Sequence, residues 1–288
     1  MFRRPSSDSG TWIAAWVDRN GVPEMVRDHV PPYSPDHLVE WGSITKAVTA
    51  TAVRTAIAKG VISEHDEVLR VVPRLTEARF SVLELLEHRS GLPRMARPVR
   101  TLFQRDPYAE LVERRLDPKT VVPLLRQGDR LYSNLGYAVL GEVLDEAVGS
   151  WWAWAVEHVL RPAGVTTATL EPRPAARVLP RDRSGRTLDP WPVGAGPYAA
   201  AGGVWSTFDD LCRFLGSAAC ESATPPGWQS VPGADVINGA TRHSRACAIR
   251  RSGATRVLVT HGLRLGTRLE RKTVELARAS CPRLSADD

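Results

Sequence analysis

Apolar and polar positions change their spacing several times along this chain, and each change marks an element. Residues 11–17 alternate and are β-prone. Asn20-Gly21 is a hairpin signal, and residues 22–26 return as a second strand. Pro31-Pro32-Tyr33-Ser34-Pro35-Asp36 is a loop. From Ser43 to about Ala58 the chain is Ala, Val, Ile and Thr on most faces and closes with Lys59-Gly60, which predicts a buried central helix. Residues 63–72 are polar and turn-rich. Residues 81–88 form a short helix stopped by Ser90-Gly91-Leu92-Pro93, and an arginine-rich stretch over 94–119 holds a helix from Tyr108 to Arg115. Helical spacing returns at 135–144 and 151–160, the second run carrying three packing tryptophans and ending at Arg161-Pro162-Ala163-Gly164. Residues 171–197 are a Pro/Arg/Gly-rich connection. Thr207 caps a helix over 208–215 whose first turn holds Asp209 and Asp210. Strands at 246–249 and 256–260 form a hairpin through Arg251-Ser252-Gly253, and an amphipathic helix covers 264–280.

Strands thus sit at both ends and helices in the middle. The predicted class is α+β: one antiparallel sheet flanked by helices, with an inserted all-helical lobe. Residues 1–60 and 195–288 make a discontinuous sheet domain, and residues 61–194 make the lobe. The 288 residues, 43% hydrophobic and 24% charged, suit such a core.

The net charge of +6 and pI near 9.4 come almost wholly from arginine, because only four lysines occur. The arginines are spread rather than clustered, so nucleic acid is not expected as a partner. Cys212, Cys220, Cys247 and Cys281 have no paired or zinc-type spacing, so free thiols and no metal are expected. The basic start Met1-Phe2-Arg3-Arg4 has no apolar run after it, and no stretch is long enough to span a bilayer. The expectation is a cytoplasmic protein acting on a small-molecule or peptide substrate, with no cofactor.

The candidate chemistry starts at Ser43-Ile44-Thr45-Lys46. Residues three apart share a helix face, so Lys46 reaches the Ser43 hydroxyl. A partly desolvated lysine can take the serine's proton and make it a nucleophile, and the amides of the helix start favour negative charge there. Alone, such a pair arises by chance, or as a simple helix cap with a solvated lysine.

The surrounding motifs change its weight. Gly42-Ser43-Ile44-Thr45-Lys46, Leu85-Leu86-Glu87-His88-Arg89-Ser90-Gly91-Leu92-Pro93, Tyr132-Ser133-Asn134 and Ala201-Gly202-Gly203-Val204-Trp205 occur in that order. Together they closely resemble the serine β-lactamase-related family, the class C β-lactamase, DD-peptidase and esterase branch, over about residues 11–260. The resemblance implies a β-lactamase/transpeptidase-like fold with Ser43 as nucleophile and Lys46 as its partner. Tyr132 would shuttle the proton, as phenolate or through the lysine, with Lys46 as the cation that favours ionisation. Asn134 would hydrogen-bond the lysine and the substrate. His88 falls in a motif that is structural in the family, and Gly202-Gly203 permits close packing beneath the site.

The third family motif, Lys or His then any residue then Gly, is best matched by Ile237-Asn238-Gly239, preceded by Gly227-Trp228. Ile237 therefore stands where the family has a cationic or imidazole side chain. Asn238, Gly239 and Ala240 are the candidate substrate-binding strand, the Ala240 N–H pairing with that of Ser43 as an oxyanion hole. Arg242 and His243 lie roughly 15–20 Å further along an extended strand, and His261 in Thr260-His261-Gly262 is a poorer alternative. The chain is also short between Thr207 and Trp228. The expected function is a serine hydrolase or acyltransferase working through a Ser43 acyl-enzyme on an ester or amide. The alternative is a degenerate ligand-binding protein of the same fold.

Overall fold

The computed structural model describes residues 10–96, 106–126, 128–217, 220 and 225–279. The expectations for residues 1–7 and for Cys281 lie outside them. The chain is built on a six-stranded antiparallel sheet. Its strands are β1 (Trp12–Val17), β2 (Glu24–Arg27), β5 (Gln229–Val231), β6 (Ala234–Ala240), β7 (Ser244–Arg251) and β8 (Val257–Leu263), in the order β2-β1-β8-β7-β6-β5. Strands from both ends therefore share one sheet. A two-stranded sheet pairs β3 (Leu38–Glu40) with β4 (Trp205–Thr207). Strands β3, β4 and β5 are too short for a periodicity to reveal them.

Side chains alternate across the main sheet, and each face buries a different set. Ile13, Ala15, Val17, Ala246, Ala248, Val257 and Val259 join the large core, which also holds the central helix α1 (Thr45–Ala58). Ile249 and Leu258 turn the other way, onto the C-terminal helix. That helix, numbered α8 below (Arg268–Ala279), buries Leu269, Thr273 and Ala277, one face at helical spacing.

Between the two sets of strands lie α2 (Val68–Val71), α3 (Val82–Leu86), α4 (Asn134–Val148), α5 (Trp151–Ala155) and α6 (Ala199–Gly202), and α7 (Phe208–Gly216) follows β4. Ser81 and Glu84 form a reciprocal cap on α3, and Ser133 caps α4 through a bond from the Gly136 N–H. The helix expected at 108–115 is only a 3₁₀ turn at Ala109–Leu111. Tertiary contacts divert its backbone: Glu113 is left-handed at φ 56° and its N–H goes to the Ala195 carbonyl. The run after α5 continues as a π-helical turn, Val156–Leu160, and α8 begins at Arg268 rather than at the expected 264.

Helix α1 is buried although it carries Thr45, Lys46 and Thr49 on its inner side. A buried polar group must find a partner. These three find the chain around α6: Thr49 Oγ1 donates to the Ala200 carbonyl, Lys46 Nζ to the Ala201 carbonyl, and the Val204 N–H donates to Thr45 Oγ1. The end of α6 is itself packed too tightly for a side chain at one of its two glycines, Gly202 and Gly203. A Cβ on Gly203 would lie 2.9 Å from the Gly194 Cα and 3.0 Å from Ala199, whereas one on Gly202 meets nothing nearer than 3.7 Å. Gly203→Ala is therefore expected to cost about 1–3 kcal/mol in urea unfolding. Gly202→Ala should stay within about 0.5 kcal/mol of wild type. Equal losses would refute the packing argument.

Candidate active site

Ser43 sits in a 3₁₀ turn, Gly42–Ile44, that leads directly into α1. The turn reverses the chain between β3 and the helix, and Gly42 takes φ +52° to allow it. Lys46 Nζ lies 3.1 Å from Ser43 Oγ, and the Tyr132 hydroxyl donates to the same oxygen at 2.7 Å. Lys46 also donates to the Ala201 carbonyl at 2.6 Å. Residues far apart in sequence thus converge on one hydroxyl.

Burial sets their charges. Lys46 is almost fully enclosed, and desolvation, helped by the Arg94 guanidinium, drives its pKa well below the usual amine value. Tyr132 is pushed upward by desolvation, partly offset by the Ser43 hydrogen bond and by Arg94. Arg94 lies 5.3 Å from the centre of the Tyr132 ring, and Lys46 5.0 Å. Both shifts run against the phenolate form of the expected proton shuttle and leave the route through the lysine. The environment favours a neutral amine beside a protonated phenol. A neutral amine can accept the Ser43 proton, while the phenol holds a proton to donate.

Tyr132 is held from behind. Ser133 Oγ donates to the Pro93 carbonyl, and the Ser133 N–H donates to His88 Nδ1 at 3.2 Å. The His88 ring packs 4.8 Å from Tyr132 and 5.0 Å from Tyr137. Burial, then Lys46 and Arg130, lower its pKa to about 4, so it is a neutral acceptor. Asn134 does not bond Lys46. Its amide Nδ2 points to Met95 Sδ at 3.6 Å, and its Oδ1 is buried with no hydrogen-bond partner.

Strand β6 runs past the serine turn. A Cβ on Gly239 would lie 2.0 Å from the Trp41 carbonyl oxygen and 3.0 Å from the Ser43 nitrogen, and one on Gly42 would lie 2.8 Å from the Ala240 nitrogen. Only glycines let the backbones touch here. Thr241 N–H donates to the Ser244 carbonyl, so residues 241 and 244 are a hydrogen-bonded pair. Alternation along an antiparallel ladder then turns the Ala240 N–H away from β7, toward the Ser43 turn. The two amides are adjacent.

A cavity of about 920 Å³ opens over Ser43 and Lys46, lined also by His88, Arg130, Tyr132, Trp228 and Asn238. Ile237 is on its wall but only 4% exposed, packed into the core. No cation replaces it on the same strand. Arg242 and His243 both bond the Asp189 carbonyl. His261 lies within β8, fully buried, its Nδ1 on the Tyr33 hydroxyl, and is held neutral by burial, at about 3. The guanidiniums nearest the site, Arg94 and Arg130, come instead from the loops flanking Tyr132, and the sequence reading missed both. Arg94 follows Gly91-Leu92-Pro93 directly, which was the available signal. The Ala201 carbonyl, a backbone atom, had none. Cys212, Cys220 and Cys247 are buried free thiols, each raised by desolvation. Among the described residues no His/Cys/Asp/Glu group is arranged to hold a metal, and no helix is long and apolar enough to cross a membrane.

An antiparallel sheet with flanking helices, a serine–lysine turn at its edge and a tyrosine closing from the loop before α4 define the class of β-lactamase/transpeptidase-fold proteins. The Beta-lactamase family model matches residues 10–279, and the chain belongs to that family, one of hydrolase-type enzymes. Protein Rv1367c of Mycobacterium tuberculosis is 28% identical over 217 residues, 64% of this chain and 54% of its own length. The chain thus spans about half of that curated relative. The β-lactamase/D-alanine carboxypeptidase of Yersinia pestis, solved with citrate, superposes with a TM-score of 0.72 at 17% identity, over 93% of this chain and 91% of that one. SurE with D-Leu gives 0.69 at 21% identity, over 93% and 71%.

The Lys46 environment has a consequence for stability. The folded state disfavours the ammonium, so the unfolded chain binds the extra proton above the folded-state pKa. Stability then rises with pH toward about 10.4, by up to about 1.4 kcal/mol per unit. Lys46→Met should flatten that rise between about pH 8 and 10 in urea titrations. An unchanged slope would mean that Lys46 is charged in the folded protein.

Proposed function

We propose that the protein is a serine hydrolase or acyltransferase that forms an acyl-enzyme on Ser43. The observation that carries this reading is the Ser43 hydroxyl held between Lys46 Nζ at 3.1 Å and the Tyr132 hydroxyl at 2.7 Å. In this reading the neutral Lys46 amine takes the Ser43 proton as Oγ attacks the carbonyl carbon of an ester or amide. The carbonyl oxygen gains negative charge between the Ser43 and Ala240 N–H groups, where donors already in place stabilise it. As the tetrahedral species collapses, Tyr132 gives its proton to the leaving group and regains one from Lys46. Water or another small nucleophile then repeats the sequence on the acyl-enzyme. Asn134 and Asn238 flank the acyl group, and the steps need no metal or cofactor.

The reading also divides the chain into a sheet domain (1–60 and 195–288) supplying Ser43, Lys46 and Ala240, and a helical lobe (61–194) supplying Tyr132. The names of similar structures, a D-alanine carboxypeptidase and SurE with D-Leu, favour an amide or a peptide-like acyl donor. Ile237 argues against recognition of a substrate carboxylate from β6. It also motivates the second reading, a ligand-binding protein that keeps the fold without turnover.

Ser43→Ala is expected to abolish labelling by a fluorophosphonate or a β-lactam, read by intact-protein mass spectrometry. Tyr132→Phe should slow labelling by about 10²-fold, the usual scale for a lost proton-transfer group. A Ser43→Ala variant that still labels would exclude the mechanism. A wild-type protein giving no Ser43-dependent burst with p-nitrophenyl acetate would establish the binding protein instead.

A further inference from the structure

The two amides of the oxyanion hole sit on separate elements. Ser43 follows β3, and Ala240 ends β6, about two thirds of the chain away in sequence. One side chain bridges them. Glu40, three residues before Ser43, accepts at a single oxygen, Oε2, from Thr241 Oγ1 at 2.6 Å and from Ser244 Oγ at 2.8 Å. Thr241 directly follows Ala240, and the Ser244 N–H donates to Thr241 Oγ1, closing the hairpin onto the carboxylate. We infer that Glu40 is a positioning residue: its carboxylate clamps the β6–β7 hairpin to the serine turn and so sets the spacing of the Ser43 and Ala240 N–H groups.

The inference rests on the acyl-enzyme reading, and it has support besides the distances. Glu40 is only 4% exposed, and among the described residues no cation lies within ion-pair distance of its carboxylate. A buried carboxylate held by two neutral hydroxyls costs more desolvation than the bonds return, so folding stability does not explain it. Desolvation raises its pKa to about 7 against the pull of Thr241, Ser244 and the more distant Arg177. Arg177 lines a second cavity of about 550 Å³ behind this cluster. His261, on β8, approaches the Glu40 main chain and stays neutral, bonded to Tyr33.

Both hydroxyls donate to Oε2 alone, so the clamp survives protonation at Oε1 and needs only an oxygen in that place. Reactivity should therefore not follow the Glu40 titration near 7. Stability should follow it: between about 4.5 and 7 the folded protein holds a proton that the unfolded chain has lost, so stability falls as pH rises.

The test is the second-order rate of fluorophosphonate labelling of Ser43, in which Oγ displaces fluoride at phosphorus and the phosphoryl oxygen occupies the oxyanion hole. It is run from pH 5.5 to 9 beside urea unfolding. Glu40→Ala and Thr241→Val are expected to label at least about ten-fold more slowly, the scale of a displaced oxyanion donor. With p-nitrophenyl acetate they should lower kcat and leave KM within about two-fold. Glu40→Gln, whose amide oxygen still accepts both hydroxyls, should keep most of the wild-type rate across this range. Wild-type rates in folded Glu40→Ala and Thr241→Val, or a rate in folded Glu40→Gln as low as that of Glu40→Ala, would overturn the inference while leaving the Ser43 mechanism intact. Wild-type protein that does not label at Ser43 would overturn both.

Discussion

The structure turns on one buried amine. Lys46 lies in a helix that is enclosed on most faces, and water cannot solvate it there. Its pKa falls for that reason, with Arg94 adding to the effect. A lysine exposed in the same turn would be an ammonium at neutral pH, unable to accept a proton. Around it the Ala201 carbonyl accepts from the amine, the Tyr132 and Tyr137 ring centres lie 5.0 and 5.7 Å away, and Gly203 lets the end of α6 pack on Gly194.

A second constraint is backbone contact between the serine turn and β6. Gly42 and Gly239 face each other at distances no side chain tolerates, and this brings the two N–H groups together. Donors fixed in this way need no reorganisation when negative charge appears, which makes them effective. The same contact explains why Ile237 can stand where the family has a cation: the amides depend on the path of the strand and not on that side chain. What Ile237 changes is the wall of the cavity. It packs into the core, while Arg130 lines the same cavity and Arg94 lies beside the Tyr132 ring.

Local pattern made much of this legible. The period of 2 at Thr11–Val17, the apolar run after Ser43 and the helical spacing at 135–144 each correspond to an element of the structure. The elements missed were those that a few residues form only because a distant partner exists. Strand β3 is three residues long and is a strand because β4 lies beside it, and the reverse holds for β4. The helix expected at 108–115 failed for the same reason, its backbone being drawn to Ala195.

The sequence by itself determined the Ser43–Lys46 spacing, because three residues of helix place the two side chains on one face in any context. Its motifs also marked Tyr132 and the glycines of the serine turn and β6. Only the tertiary structure decided protonation and partners. Burial lowers the Lys46 pKa and raises that of Tyr132, Asn134 turns to Met95 rather than Lys46, and Glu40 meets Thr241 and Ser244 some two hundred residues away. Desolvation and through-space contact are properties of the packed chain, and no local pattern encodes them.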